Sequence, residues 1–181
     1  MTNRNIIFKK MTEDDLKLLY QWFQIPHILK WYARNEKYTL EMILEKYLPR
    51  LNNRTISSFI IRVDNYPVGY IQLYQITNHL PEGIADYNHP LFNSLKPDEL
   101  VGIDLFIADE KYLHTGLGSE ALKIFLDAHI KDKFSGVLVD PLKENSTAIS
   151  FFEINDFKHL ASQDTKHDLM LLTTATKKIT L

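Results

Sequence analysis

Two hydrophobic periods alternate along the chain. Asn5 to Lys9 reads as a short strand. Thr12 followed by Glu13, Asp14 and Asp15 then marks a helix start, a hydroxyl cap with acids facing the positive end of the dipole. Leu16, Leu19, Tyr20 and Phe23 recur three and four apart, the spacing of one helix face, and Pro26 ends that helix. Thr39 caps a second helix carrying Ile43, Tyr47 and Leu48. From Ser57 the period shortens. Ser57 to Val63 and Pro67 to Gln75 are strands joined through the turn signal Asp64-Asn65. Ile76 to Leu100 is a long irregular stretch with Pro81, Gly83, Pro90 and Pro97, of a length that is usually functional or disordered in a compact domain. Val101 to Ala108 reads as a buried strand and Leu117 to Asp132 as an amphipathic helix. Gly136 to Val139 is a strand, Asn145 caps a helix through Glu153, and Phe157 to Leu160 and Asp168 to Thr173 close the sheet. The order β-α-α-β-β-β-α-β-α-β-β predicts a mixed α/β sheet.

Composition narrows the function classes. At 181 residues, with 45% hydrophobic residues, the chain has the size and apolar content of one globular domain. The formal net charge of -2 argues against a protein that coats nucleic acid. With no cysteine, a disulfide scaffold, a cysteine zinc site and a cysteine nucleophile are excluded. His27, His79, His89, His114, His129, His159 and His167 show no metal-ligand spacing, and there is no G-x-S-x-G elbow. No apolar run reaches the roughly 18 residues of a membrane span, and no signal peptide is expected, so the expected location is the cytoplasm.

Three features carry candidate chemistry. Leu113-His114-Thr115-Gly116-Leu117-Gly118 lies between a strand and a helix. Such a junction offers outward amides and a favourable dipole to an anion, and it is equally a plain turn. It is not a Walker loop, nor the dinucleotide fingerprint. The second feature is Val139-Asp140-Pro141 followed by Asn145, Ala148, Phe152 and Phe157; by itself this is a strand, a capped helix and a core aromatic pair. The third is charge placement. Glu82, Asp86, Asp98, Glu99, Asp104, Asp109 and Glu110 face one base, Lys96, between positions 82 and 110. Asp104 stands apart, because Ile103, Leu105, Phe106 and Ile107 surround it in sequence. A carboxylate there is paired structurally or opens to a cleft.

Taken in order, MTEDDLKLLYQWF (11–23), HILKWY (27–32), YLP (47–49), VGY (68–70), GID (102–104), GLG (116–118) and VDP (139–141) with Asn145 resemble the GNAT superfamily of N-acetyltransferases. Within it they are similar to aminoglycoside 6'-N-acetyltransferases. The resemblance runs from about Met11 to Leu172. It implies a GNAT fold over a single domain, residues 1–181, with a mixed central sheet splayed between the fourth and fifth strands and flanked by helices.

The resemblance also implies acetyl-CoA as cosubstrate and direct transfer to the 6'-amine of an aminoglycoside, a small polycationic substrate, in a ternary complex. No nucleic acid, membrane or metal is expected, and the protein is a monomer or homodimer. Phe106, Ile107, Leu113, His114, Thr115, Gly116, Leu117, Gly118, Ser119, Asn145, Ala148 and Phe152 are the implied cofactor contacts. Asp104 is the implied base and Asp140 the auxiliary base; Trp31, Tyr47, Asp98, Asp104, Asp140 and Asp164 are the implied acceptor contacts. For Trp31 and Tyr47, core packing is the competing assignment. Phe152 departs from the tyrosine that better-known members place beside the thioester sulfur, and the Ile76 to Leu100 stretch is longer than its counterpart. A sister group that acylates lysine-derived side chains carries His where Asp104 stands. Acylation of a lysine-like, polyamine or peptide amine, and a weakly active acyl-CoA-binding module, are the alternative functions.

Overall fold

The computed structural model describes residues 4–174; residues 1–3 and 175–181, the two ends of the expected domain, lie outside the described residues. Seven strands are hydrogen-bonded in the order β1-β2-β3-β4-β5-β7-β6. They are β1 (Ile6–Lys10), β2 (Ile56–Val63), β3 (Tyr66–Gln75), β4 (Leu100–Ile107), β5 (Gly136–Val139), β6 (Lys158–His159) and β7 (Met170–Thr173). The helices are α1 (Leu16–Phe23), α2 (Pro26–Trp31), α3 (Leu40–Leu51), α4 (Leu117–His129) and α5 (Ser146–Ile154). This is the mixed α/β sheet expected from the period changes, with one helix more. The chain divides into two compact units, Met1–Gln72 with Asp104–Ala121, and Leu73–Ile103 with Leu122–Leu181.

In the first unit β1 runs antiparallel to β2, with Ile6 opposite Val63 and Lys10 opposite Phe59. Asp64 and Asn65 turn β2 into β3 with φ of 50° and 69°, the left-handed pair that a two-residue hairpin requires. The expected first helix is shorter than its pattern. Its acidic start is a 3-10 turn, Glu13–Asp15, in which Asp15 Oδ2 accepts from the Thr12 amide at 2.9 Å and from its hydroxyl at 3.0 Å. Pro26 does end α1, but it also begins α2, where its missing N–H costs nothing. The core of this unit is aromatic. Phe23 meets Tyr38, Tyr47 and Tyr32 edge-on at centroid distances of 5.0, 5.8 and 5.6 Å, and Tyr70 stacks on Phe106 at 5.5 Å. Edge-to-face contact suits the ring quadrupoles.

In the second unit β4 and β5 run parallel over Leu100–Gly102 and Gly136–Leu138, and β7 pairs antiparallel with β5 and with β6. The pairing of β4 with β5 thus ends two residues before Asp104 and Asp140. Gly102 is where the Tyr74 ring lies against β4; any Cβ there would run into that ring. The stretch between β3 and β4 is ordered and holds two 3-10 turns, Pro90–Asn93 and Pro97–Glu99. It is pinned to the segment before β7. The Ala85 amide donates to Gln163 Oε1 at 2.8 Å, the Gln163 amide to the Gly83 carbonyl at 2.9 Å, and the buried His89 ring contacts the Ala161 carbonyl at 2.9 Å.

Candidate active site

Asp104 has the environment its sequence position asked about. It is half-buried on β4, and its Oδ2 accepts from Gln72 Nε2 at 2.6 Å. Gln72, 5% exposed on β3, connects this carboxyl to a longer chain of hydrogen bonds. Its Oε1 accepts from the Tyr70 hydroxyl at 2.7 Å and from Arg50 Nη1 at 3.1 Å, and the Tyr70 hydroxyl meets Ser58 Oγ at 2.9 Å. Burial pushes the Asp104 carboxyl above the usual carboxylate range; the Gln72 hydrogen bond and the charges of Arg50, Arg34 and Lys46 pull it back without cancelling that rise. A carboxyl raised in this way is a better proton acceptor than an ordinary aspartate.

The glycine loop has the backbone an anion site needs. His114 and Gly116 adopt φ of 60° and 82°, so the chain turns sharply before α4 begins at Leu117. Nothing lies within 4 Å of a Cβ built on Gly116, so the outer side of the loop is open. The first-turn amides of α4 have no partner within the helix. Arg4 stands close by, donating to the Thr115 carbonyl at 3.4 Å and pairing with Glu120 at 3.5 Å. These residues fit a phosphate group bound against the loop. The Ile107 carbonyl is in contact with His27 Nε2 at 2.9 Å, so the histidine of HILKWY ties α2 to the end of β4.

The candidate residues divide between the units. Trp31, Tyr47, Asp104, Phe106, Ile107 and residues 113–119 belong to the first; Asp98, Asp140, Asn145, Ala148, Phe152 and Asp164 belong to the second. Asp140 is half-buried, and its Oδ2 accepts from the Glu82 amide at 2.7 Å. Asp164 anchors a turn. Its Oδ2 accepts from the His167 amide at 3.0 Å and meets His167 Nδ1, and this partner holds its carboxyl below the usual range. Asp98 is exposed in the Pro97–Glu99 turn. Asn145 caps α5, its side-chain oxygen accepting from the Ala148 amide at 3.1 Å. Phe152 is buried between Phe151 and Phe157, at 5.1 and 5.2 Å. Tyr47 corrects the expectation of an aromatic wall: it is 1% exposed and packs in the core. Trp31 is half-buried, with Lys30 Nζ 4.2 Å above its ring.

Sequence reasoning missed Gln72, Arg34, Lys46 and Arg50. Gln72 carried the same signal as Asp104, a polar residue in an apolar strand. Lys46 and Arg50 are like charges one helical turn apart, an arrangement that weakens a helix by roughly 0.2–0.5 kcal/mol. The acid-rich stretch is also partly committed to local turns. Asp86 accepts from the Asn88 amide at 2.8 Å, Glu99 from the Lys96 amide at 3.0 Å, and Asp109 from the Lys111 amide at 3.2 Å. Among the described residues, no cluster of His, Asp and Glu suits a metal ion.

A family model described as acetyltransferase (GNAT) domain matches residues 11–165, a span that draws on both units. The chain is 28% identical over 160 residues to aminoglycoside N(6')-acetyltransferase type 1 of Klebsiella pneumoniae, covering 87% of this chain and 76% of that one. It is similar to the solved structure of aminoglycoside acetyltransferase AAC(6')-Ib with coenzyme A, at a TM-score of 0.75 and 26% identity, over 93% of this chain and 95% of that one. The structure of that acetyltransferase with coenzyme A and kanamycin matches at a TM-score of 0.74 and 27% identity, over the same 93% and 95%.

Proposed function

The chain belongs to the GNAT acetyltransferase domain family and is an acyltransferase, and from that premise we propose that it transfers acetyl from acetyl-CoA to a primary amine, with the 6'-amine of an aminoglycoside as the acceptor its relatives point to. Asp104 carries this reading: a half-buried carboxyl, raised by burial and held by Gln72 at 2.6 Å, at the aspartate of the GID motif. Acetyl-CoA supplies the activated acetyl group. The amides from Leu113 to Ser119 hold its pyrophosphate, supported by the open side of Gly116. The family resemblance assigns Phe106, Ile107, Asn145, Ala148 and Phe152 to the same cofactor, and Asp98, Asp140, Asp164 and Trp31 to the acceptor.

In this reading the acceptor amine is deprotonated at Asp104, directly or through a water, and its nitrogen attacks the thioester carbonyl carbon. The N–C bond forms and the C–S bond breaks. With phenylalanine at 152, the departing thiolate takes its proton from water rather than from a side chain at that position. The enzyme acts in the cytoplasm as a monomer or homodimer; among the described residues no helix is long and apolar enough to cross a membrane. The test is thiol release from acetyl-CoA with kanamycin and tobramycin, with the acetylated position assigned by mass spectrometry and NMR. Saturable release with 6'-acetylated product supports the reading. Release only with other amines removes the aminoglycoside as acceptor, and no release with any amine removes the enzyme reading. A second acceptor class is an amine of lysine-like chemistry; the observation that favours it is Arg50, which reaches Asp104 through Gln72.

A further inference from the structure

The carboxamide of Gln72 has one end for donors and one end for Asp104, and its partners decide which is which. A guanidinium only donates, so the Gln72 atom 3.1 Å from Arg50 Nη1 is the oxygen Oε1. The Tyr70 hydroxyl donates to the same oxygen at 2.7 Å, which makes Ser58 Oγ, 2.9 Å from that hydroxyl, the donor to Tyr70. Both donors are held from behind. The Arg50 guanidinium lies over the ring of Tyr47 at 4.9 Å, and Tyr70 is buried with its ring stacked on Phe106 at 5.5 Å. With Oε1 taken by two donors, Nε2 faces the other way and donates to Asp104 Oδ2 at 2.6 Å. Ser58, Tyr70, Gln72, Arg50 and Asp104 all belong to the first unit.

We infer that Arg50 is a positioning residue of the transfer reaction: acting through Gln72, it commits Oδ2 of Asp104 to an N–H donor and leaves Oδ1 as the oxygen that takes the acceptor's proton. The inference rests on the acetyltransferase reading and deepens its base step. A proton on Oδ2 would point at Nε2, which has no lone pair to offer it. Among the described residues Oδ1 accepts no hydrogen bond, so the proton has room there. The N–H bond of the amine breaks and an O–H bond forms at Oδ1, while Gln72 keeps its bond to Oδ2 before and after. Arg50 also closes off a competing state. A carboxamide turned end for end would present Oε1 to protonated Asp104, and that bond would hold the proton on the base. Tyr70 is the looser lock, because its hydroxyl can accept from a turned carboxamide by giving its own proton to Ser58. A guanidinium cannot accept, so with Arg50 in place the turn leaves N–H groups facing one another.

A double-mutant cycle on Arg50 and Gln72 tests this, with thiol release from acetyl-CoA measured on kanamycin and cadaverine. Arg50→Met keeps an apolar stem against Tyr47 and removes the donor; kcat should fall by about three- to tenfold, the size of one hydrogen bond, with the acetyl-CoA KM unmoved. Arg50→Lys, which donates again, should recover most of the loss. In a Gln72→Leu background Arg50 has nothing to hold, so adding Arg50→Met should change kcat by less than about twofold. Tyr70→Phe keeps the stacked ring and gives a second cycle should Gln72→Leu fold poorly: kcat should change little with Arg50 present and fall further than the two single variants predict when combined with Arg50→Met. Equal falls from Arg50→Met with and without Gln72, or with and without the Tyr70 hydroxyl, make its effect one of charge alone and overturn the inference. An unchanged kcat, or a change confined to the acceptor KM, overturns it as well. These results leave the acetyltransferase reading standing. If the wild type releases no thiol with any amine, that reading fails and the inference falls with it.

Discussion

Replacing Asp104 by Asn should move activity and stability in opposite directions. The amide keeps the shape of the carboxyl and an oxygen facing Gln72 Nε2, now 2.6 Å away, but it cannot take a proton. Loss of a general base lowers kcat by ~10²–10⁴-fold, or ~2.7–5.4 kcal/mol of barrier. Stability follows from linkage. Burial raises the folded-state pKa of Asp104 against the opposing pull of Gln72, Arg50, Arg34 and Lys46. The folded protein therefore binds this proton more tightly than the unfolded chain. That contribution is fully present below the ordinary aspartate pKa and is lost as pH rises through the raised folded value. Above it the wild type carries a desolvated carboxylate, which the variant lacks. Melting temperatures measured from pH ~4 to ~8 should show the Asn variant gaining on wild type as pH rises, then holding a constant advantage. Thiol-release kinetics on the same samples should show the fall in kcat with the acetyl-CoA KM little changed. A variant with near-wild-type kcat refutes the base assignment. A variant that melts lower than wild type at neutral pH refutes the electrostatic argument, because the carboxylate would then be a net partner of the cations.

Gly116→Val puts a β-branched residue at φ 82° and fills the open side of the loop, so acetyl-CoA affinity by calorimetry should fall at least tenfold. Gly116→Asn, which tolerates the left-handed backbone, separates the blocked site from a damaged turn by losing affinity while the melting temperature holds. Gln72→Leu removes the acceptor of Tyr70 and Arg50 and the donor of Asp104 together. Denaturant unfolding should show a loss of about 1–3 kcal/mol, and the acidic limb of the rate profile should move to higher pH because the Gln72 bond holds the Asp104 carboxyl down. His159 is held by Asp168 at 2.9 Å and Glu153 at 3.0 Å, and these partners raise its pKa. Its contribution is present below the ordinary histidine pKa and is lost as pH rises through the raised folded value. His159→Gln should therefore lower the melting temperature slightly near pH 6 at low salt and leave it unchanged near pH 8.5.

The strands were legible because β2, β3 and β4 are runs of β-branched and aromatic residues closed by turn chemistry, and Asp64-Asn65 takes the left-handed pair its residues favour. Helix α2 was hidden by a real ambiguity in Pro26. The same missing N–H that ends α1 is harmless in the first turn of α2, and nothing local tells the two apart. Tyr47 shows a second limit. An aromatic residue at helical spacing has a face, but whether that face meets solvent or Phe23 and Tyr70 depends on partners far away in sequence.

Charge shows the third limit, and it bears most on function. Counted along the chain, the acids from Glu82 to Glu110 point to a cleft for polycations. In space, Asp86, Glu99 and Asp109 cap turns. The charge of Asp104 is offset by cations from the turn after α2 and from α3, which the sequence separates from it by more than fifty residues. Field strength depends on where charges converge rather than on how densely they follow one another. The aspartate was found because a lone carboxylate in an apolar strand demands a partner. The partners were not found because Arg34, Lys46 and Arg50 each satisfy the ordinary rule that cations lie on solvated surfaces. Their shared target is a property of the fold rather than of the order of residues along the chain.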